Sequence, residues 1–172
     1  IIYMDFSLSI QDISKLLDGK VNMMTYKDVS GYKTIEDLLG KHKRAVILYL
    51  TSKNYGHFTC IFEHKGKITF FDSYGFIPDD ELKFIPNDLK KELRSNHRYL
   101  TELLYKSNKP VDYSQYQLQS KSPSVTTCGR WCVARLRYMD VSTDDFADVF
   151  LKAKKHIPTD ELIVKLVPLN KK

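Results

Sequence analysis

Three strand-like segments between residues 45 and 72 constrain the fold more than any other feature of the chain. Residues 45–51 form one continuous apolar run, which is typical of a buried strand. Residues 57–63 and 67–72 are rich in β-branched and aromatic side chains, and the short polar segment between them has hairpin spacing. We therefore predict that the three segments form the middle of an antiparallel or mixed sheet.

Helical patterns stand on both sides of these strands. We predict helices over residues 9–17, 34–40, 88–94, 99–106, 128–138, 142–155 and 160–167, with an extended segment over 111–119 and a loop over 120–124. A block of consecutive strands flanked by helices is typical of α+β proteins. We predict an α+β fold in which helices pack on a central, mostly antiparallel or mixed sheet. We assign residues 1–172 to a single domain.

The chain has three cysteines, Cys60, Cys128 and Cys132. An odd, small number makes a poor disulfide framework and indicates a reducing compartment. No second cysteine pair or close histidine pair accompanies Cys128 and Cys132, so we predict no metal site. One reactive thiol is therefore a more useful hypothesis for these cysteines than a disulfide or a metal site.

Cys128 opens a predicted helix in the run Thr126-Thr127-Cys128-Gly129-Arg130-Trp131-Cys132. Unpaired backbone N–H groups converge at a helix N-terminus and favour a thiolate there. Glycine at position 129 lets a substrate carbonyl approach closely. A cysteine at such a place is also commonly just a small apolar residue, so the motif needs partners. Cys132, one turn further on, is better interpreted as core packing.

A histidine and an acid stand at the ends of two neighbouring strands. His57 follows a glycine and begins one strand, and Asp72 ends the next. Across a hairpin that turns near Gly66, the two meet at the same open end, where a carboxylate can orient an imidazole. The alternatives are a structural histidine and an ordinary turn aspartate. The coincidence with Cys128 favours a Cys-His-Asp triad.

A glutamine before the cysteine loop could donate to an oxyanion. Gln119 is our candidate, acting beside the backbone N–H of Cys128. Gln115 and Gln117 are rivals, because all three would share one face of a strand and alternation cannot choose among them.

The chain is moderately basic. Lys plus Arg is 27 and Asp plus Glu is 21, which gives 27 − 21 = +6. The excess lies in residues 41–44, 90–98, 152–155 and 171–172. Such clusters can bind DNA through phosphates, although we favour solvated surface faces. No apolar run approaches the roughly 18 residues of a membrane span, so we predict no membrane partner.

The order of these motifs resembles the adenain and ubiquitin-like-protein protease group of cysteine peptidases. His57-Phe58 matches a strand that begins with histidine and an aromatic, where tryptophan is usual. Phe71-Asp72-Ser73-Tyr74-Gly75 matches the following acid and turn, and Gln119 with Cys128-Gly129 matches the glutamine and the helix start. In detail these motifs look like the adenain-like maturation proteases of virophages and Polinton-type elements. The resemblance covers about residues 45 to 150.

The resemblance implies a cysteine-peptidase fold and cleavage of virion (capsid) precursors at small-residue, Gly-containing sites. It implies catalytic roles for Cys128, His57, Asp72 and Gln119, and we add Gly56 and Gly129 as substrate-binding positions. No cofactor is required by the sequence, while a DNA or peptide activator is possible by resemblance. We expect a monomer that acts on protein substrates in the virion and the host-cell interior, in a reducing viral factory.

Two alternatives remain at this point. A ubiquitin- or SUMO-like-protein isopeptidase would use the same residues. A non-catalytic nucleic-acid-binding virion protein would instead use the basic clusters, and its three thiols would be equally sluggish.

Overall fold

A computed structural model describes residues 7–169 and places a five-stranded mixed sheet at the centre of the protein. The strands are β1 (Asn22–Thr25), β2 (Arg44–Leu50), β3 (Gly56–His64), β4 (Lys67–Phe71) and β5 (Val111–Tyr113), and they lie in this order across the sheet. The inner pairs β2–β3 and β3–β4 are antiparallel, whereas the edge pairs β1–β2 and β4–β5 are parallel. The three-stranded centre predicted from the sequence is therefore present, with one parallel strand added at each edge.

Eight α-helices and one 3-10 helix surround this sheet within residues 7–169. They are α1 (Ile10–Leu16), α2 (Tyr26–Val29), α3 (Ile35–Leu39), the 3-10 helix (Asp80–Phe84), α4 (Asn87–Lys90), α5 (Tyr99–Lys106), α6 (Cys128–Arg137), α7 (Thr143–Ala153) and α8 (Thr159–Leu166). Several begin as the sequence predicts, because Ser9, Thr34 and Ser142 cap α1, α3 and α7 through their hydroxyl oxygens.

The sheet separates two hydrophobic clusters. Cys60 and Phe62 of β3 contribute to a cluster that includes side chains from α1, α6, α7 and α8. Ile61 of the same strand contributes to a second cluster with side chains from α2, α3 and α5. Successive side chains of a strand point to opposite faces, so β3 supplies both clusters and is apolar almost throughout. The strand that carries His57 is thus held rigidly from both sides.

Some boundaries differ from the sequence prediction. The strand β1 was not predicted, because its four residues become a strand only by pairing with β2, about 20 residues away in sequence. The helix expected over 88–94 is reduced to one α-helical turn, α4. Turns follow it as far as Arg94, which has a left-handed backbone conformation. The extended segment over 111–119 pairs with the sheet only as far as Tyr113.

Among the helices of the described region, none combines the length and the apolar character needed to cross a membrane. The assignment of residues 1–172 to one domain stays a prediction.

Candidate active site

His57 and Asp72 form a buried pair at one end of the sheet. His57 is the second residue of β3, and Asp72 follows β4 directly. The two residues are 6% and 0% exposed, and His57 Nε2 lies 2.9 Å from Asp72 Oδ1. The backbone N–H of Tyr74 also donates to Asp72 Oδ1, at 2.7 Å. The carboxylate is thus held in one orientation, and the expected meeting of the two strand ends is present.

Cys128 approaches the same imidazole from the first position of α6. Both residues line the same cleft, and Cys128 lies near enough to raise the pKa of the imidazole. Because Asp72 occupies Nε2, Nδ1 is the ring nitrogen left for the thiol. The cysteine is partly exposed, whereas Cys60 and Cys132 are buried at 0% and 1% exposure. The structure therefore separates one accessible cysteine from two core cysteines, as the sequence suggests.

The surroundings of His57 favour its cation. Burial by itself lowers the pKa of the imidazole, but the charge of Asp72, its hydrogen bond and Cys128 outweigh burial and raise the pKa well above 6.5. At the other helical cysteine, burial is the main cause that raises the pKa of the Cys132 thiol. Cys132 is therefore held in its neutral form, whereas Cys128 has a readily protonated imidazole beside it.

Tyr74 covers one face of the imidazole, a contact that the sequence did not predict. The two rings stack with centroids 4.3 Å apart and an interplanar angle of 14°. The contact fixes the ring plane of His57 and suits a cation lying against an aromatic face. The sequence does place Tyr74 two residues after Asp72, in the turn that follows the strand. This short separation is the sequence feature that could have suggested a tyrosine beside the imidazole.

The turn after β4 also positions Gln119. The carbonyl oxygen of Ser73 accepts the backbone N–H groups of Leu118 and Gln119, both at 2.9 Å. The Ser73 hydroxyl donates to Gln119 Oε1 at 2.7 Å, and Gln119 Nε2 donates to the carbonyl of Val125 at 3.1 Å. The side chain is thus fixed, with its amide nitrogen on the side of the cysteine loop.

The rival glutamines lie elsewhere. Gln119 is 1% exposed and lines the cleft that contains Cys128, whereas Gln115 and Gln117 are exposed. The segment leaves the sheet after Tyr113, so the strict alternation assumed for a strand does not apply to it. The geometry favours Gln119 among the three.

We expect Gln119→Ala to lower kcat about 10²-fold or more, because one preorganised oxyanion donor is worth that much. Gln117→Ala should leave kcat within about threefold, since its exposed side chain donates to the backbone carbonyl of Gln119 and not to its amide side chain. Steady-state kinetics with a cleaved peptide gives both values, and thermal melting checks that each variant is folded. Equal losses in the two variants would contradict the assignment.

Gly56 and Gly129 both line the cleft, and each also has a packing reason to be glycine. A Cβ on Gly56 would lie 2.2 Å from the carbonyl oxygen of Tyr49 on the paired strand. A Cβ on Gly129 would lie 3.1 Å from Ile13 Cδ1, inside the contact between α6 and α1. These glycines therefore permit close packing around the site, and their role in binding substrate stays a prediction.

Glu81 adds a second carboxyl that was not among the predicted site residues. It lies in the 3-10 helix, is 4% exposed, and places Oε1 3.9 Å from His57 Nε2. In residues 7–169, ligand-type atoms of His57, Asp72 and Glu81 lie within 4.8 Å of one another. The 2.9 Å hydrogen bond already occupies Nε2 and one Asp72 oxygen. The cluster is therefore organised by hydrogen bonding, and we do not identify its members as metal ligands.

Asp160 joins the two loops that flank the cysteine. Its Oδ1 accepts from Thr127 Oγ1 at 2.6 Å and from Trp131 Nε1 at 3.3 Å, and its Oδ2 accepts from the backbone N–H of Ser120 at 2.8 Å. The sequence marks Asp160 only as an acid in the first turn of a helix. This carboxylate ties the start of α6 to the segment that carries Gln119.

Several residues of the basic clusters are engaged within the protein. Arg44 donates to the carbonyl of Leu136 at 3.1 Å, and Arg98 donates to the carbonyl of Pro78 at 2.9 Å. Lys152 pairs with Asp148 one helical turn away. These contacts favour structural and solvated roles, and DNA binding through the clusters stays a prediction. Residues 171–172 lie outside the described region.

A cleft of about 650 Å³ runs over the site and opens to solvent. Cys128, His57 and Gln119 lie along it, and aromatic side chains including Tyr55, Phe76 and Phe84 line its sides. A groove of this size with apolar walls accommodates an extended peptide segment.

The chain is similar to the uncharacterized protein V9 of Sputnik virophage. The two share 37% identity over 142 residues, which cover 81% of each chain. No family model matches the chain.

Among solved structures, the pS273R protease of ASFV in its selenomethionine form matches with a TM-score of 0.52. The match has 15% identity and covers 100% of this chain and 71% of that chain. A second crystal structure of the same protease matches with a TM-score of 0.48 and 15% identity, over 96% of this chain and 68% of that one. At 15% identity the first likeness shows a shared fold, and it confirms the α+β peptidase fold predicted from the sequence.

Proposed function

We propose that this chain, which belongs to the same protein family as V9 of Sputnik virophage, is a cysteine endopeptidase that cleaves virion precursor proteins. The observation that carries the proposal is the buried contact of His57 with Asp72 at the cleft that Cys128 also lines. The protease fold and the virophage relative support it.

The proposed reaction is acyl transfer. The Cys128 thiolate attacks the scissile carbonyl, while the Gln119 amide and the backbone N–H of Cys128 stabilise the oxyanion. The His57 imidazolium gives its proton to the leaving amine, and a thioester remains on Cys128. Neutral His57 then takes a proton from water as the oxygen attacks the thioester, which releases the acid and regenerates the thiolate. Asp72 holds the imidazole in one tautomer throughout.

The expected substrates follow from the resemblance. We propose cleavage at small-residue, Gly-containing sites of capsid precursors, by a monomer acting in the virion and the reducing host-cell interior. The mechanism uses no metal or organic cofactor. An activating DNA or peptide is compatible with it, and so is proteolysis accompanied by DNA binding.

Substrate choice separates this proposal from its enzymatic alternative. We expect purified protein to cut a virion precursor co-expressed with it, and to leave a ubiquitin- or SUMO-like fusion intact. Mass spectrometry of the products should place a small residue at the cut. Preferential hydrolysis of the ubiquitin-like fusion would instead identify an isopeptidase.

A further inference from the structure

Two buried carboxyl groups face each other beside the imidazole without a proton donor between them. Asp72 Oδ2 and Glu81 Oε1 are both buried, and neither has a hydrogen-bond partner within residues 7–169. One ligand-type oxygen of each carboxyl lies within 4.8 Å of the other. Two adjacent carboxylates cannot both remain ionised in a buried site without a large cost, so one of them holds a proton.

The hydrogen bonds decide which carboxyl is protonated. Asp72 Oδ1 accepts hydrogen bonds from His57 and from the backbone N–H of Tyr74. Glu81 has no such pair of donors in the described region. Burial is the main cause that raises the pKa of Glu81 to about 7. Asp72 adds to this rise, whereas the charges of His57 and Lys83 oppose it. The proton therefore resides on Glu81.

We propose that Glu81 is a positioning residue of the active site, whose carboxylic acid donates a hydrogen bond to Asp72 Oδ2 and releases it when Glu81 ionises. The charged and titratable groups that face it are His57 on β3, Asp72 and Tyr74 after β4, and Lys83 on its own 3-10 helix. With the proton in place, both oxygens of Asp72 are held and Oδ1 stays aimed at Nε2. Without it, the two carboxylates repel and Asp72 Oδ2 loses its partner, which weakens the alignment of Oδ1 with Nε2.

This inference rests on the proposed function for its effect on catalysis, and it makes the site sensitive to pH. Below neutrality Glu81 is an acid and the His57–Asp72 pair is aligned. Above neutrality the anion forms and the alignment of imidazolium and thiolate is lost. The site would then be most active in neutral to mildly acidic surroundings.

The first test is conformational stability against pH, which does not depend on catalysis. The folded pKa of Glu81 lies above the unfolded value, so the folded state loses stability as pH rises from about 4.5 to 7 and then stays constant. Glu81→Gln cannot ionise. We expect the unfolding constant of the wild type, divided by that of Glu81→Gln, to rise roughly 200-fold between pH 4 and pH 8.5 in urea titrations. The exposed Glu92→Gln should show no such rise.

The second test is the rate at which iodoacetamide labels Cys128, which needs no identified substrate. We expect the wild-type rate to fall roughly tenfold around pH 7, as expected when a supporting residue is lost. Glu81→Gln keeps an N–H donor towards Asp72 and should hold its rate to pH 8.5. Glu81→Ala lacks the donor and should label slowly already at pH 6.

The outcomes separate this inference from the proposed function. A fall in labelling rate near pH 7 that persists in Glu81→Gln would overturn the role of Glu81. A fall that disappears when EDTA is added would also overturn it. Sluggish wild-type labelling at every pH would overturn the proposed protease, while the urea titrations would still decide where the Glu81 proton resides.

Discussion

Replacing Cys128 with alanine is expected to abolish peptide cleavage and leave the fold intact. In the proposed mechanism the sulfur forms the acyl bond, and the methyl group of alanine cannot do so. We expect kcat/KM to fall roughly 10⁴-fold or more, in the range found for removal of a catalytic nucleophile. Cys128 is only partly buried, so the thermal midpoint should move little. Cleavage assays and melting curves on the same preparation check both statements.

Cys132→Ala is the matched control, one turn further along the same helix. Its thiol is 1% exposed and lies against Cys60 in the core. We expect this variant to lose about 1 to 2 kcal/mol of stability and to keep its activity. Cleavage that survives in Cys128→Ala would remove the basis of the proposed mechanism.

The sequence predicts the centre of the fold well because local patterns determine it. The hairpin formed by β3 and β4 follows from two apolar runs and a glycine turn, and this pattern alone predicts that His57 and Asp72 lie side by side. The helix start at Cys128 follows from its neighbours in the same way. Where pattern and pairing coincide, the sequence predicts the positions of His57 and Asp72 correctly, while their catalytic roles stay predictions.

Sequence reasoning fails where a contact joins distant, irregular segments. Glu81 lies in a 3-10 helix that has no periodic signal in the sequence. Only its burial beside His57 identifies it as part of the site. Asp160 is a routine first-turn acid until α8 places it against the cysteine loop. Gln119 could not be chosen from alternation, because the chain leaves the sheet and its position depends on Ser73. Each case depends on tertiary packing that one sequence does not encode locally.

Replacing His57 with glutamine is expected to remove both activation of the thiol and protonation of the leaving amine. Glutamine fills much of the space and can still donate to Asp72, so the buried carboxylate keeps a partner. We expect cleavage to fall about 10³-fold or more, within the range of general acid–base catalysis combined with nucleophile activation. Steady-state assays with the cleaved peptide measure this loss, and His156→Gln, an exposed change, should leave the rate unaltered.

The pH dependence of thiol labelling tests the physical cause of that expected loss. In the wild type the pKa of His57 is raised well above 6.5, so the imidazolium persists through neutral pH and disappears only as pH rises through the raised value. In the proposed mechanism this imidazolium is the counter-ion of the attacking thiolate. An ordinary thiol is only about 1% ionised at pH 6.5. We therefore expect iodoacetamide to label Cys128 about 100-fold more slowly at pH 6.5 in His57→Gln. An unchanged rate would show that the imidazole does not activate Cys128, and the mechanism would then lack its base.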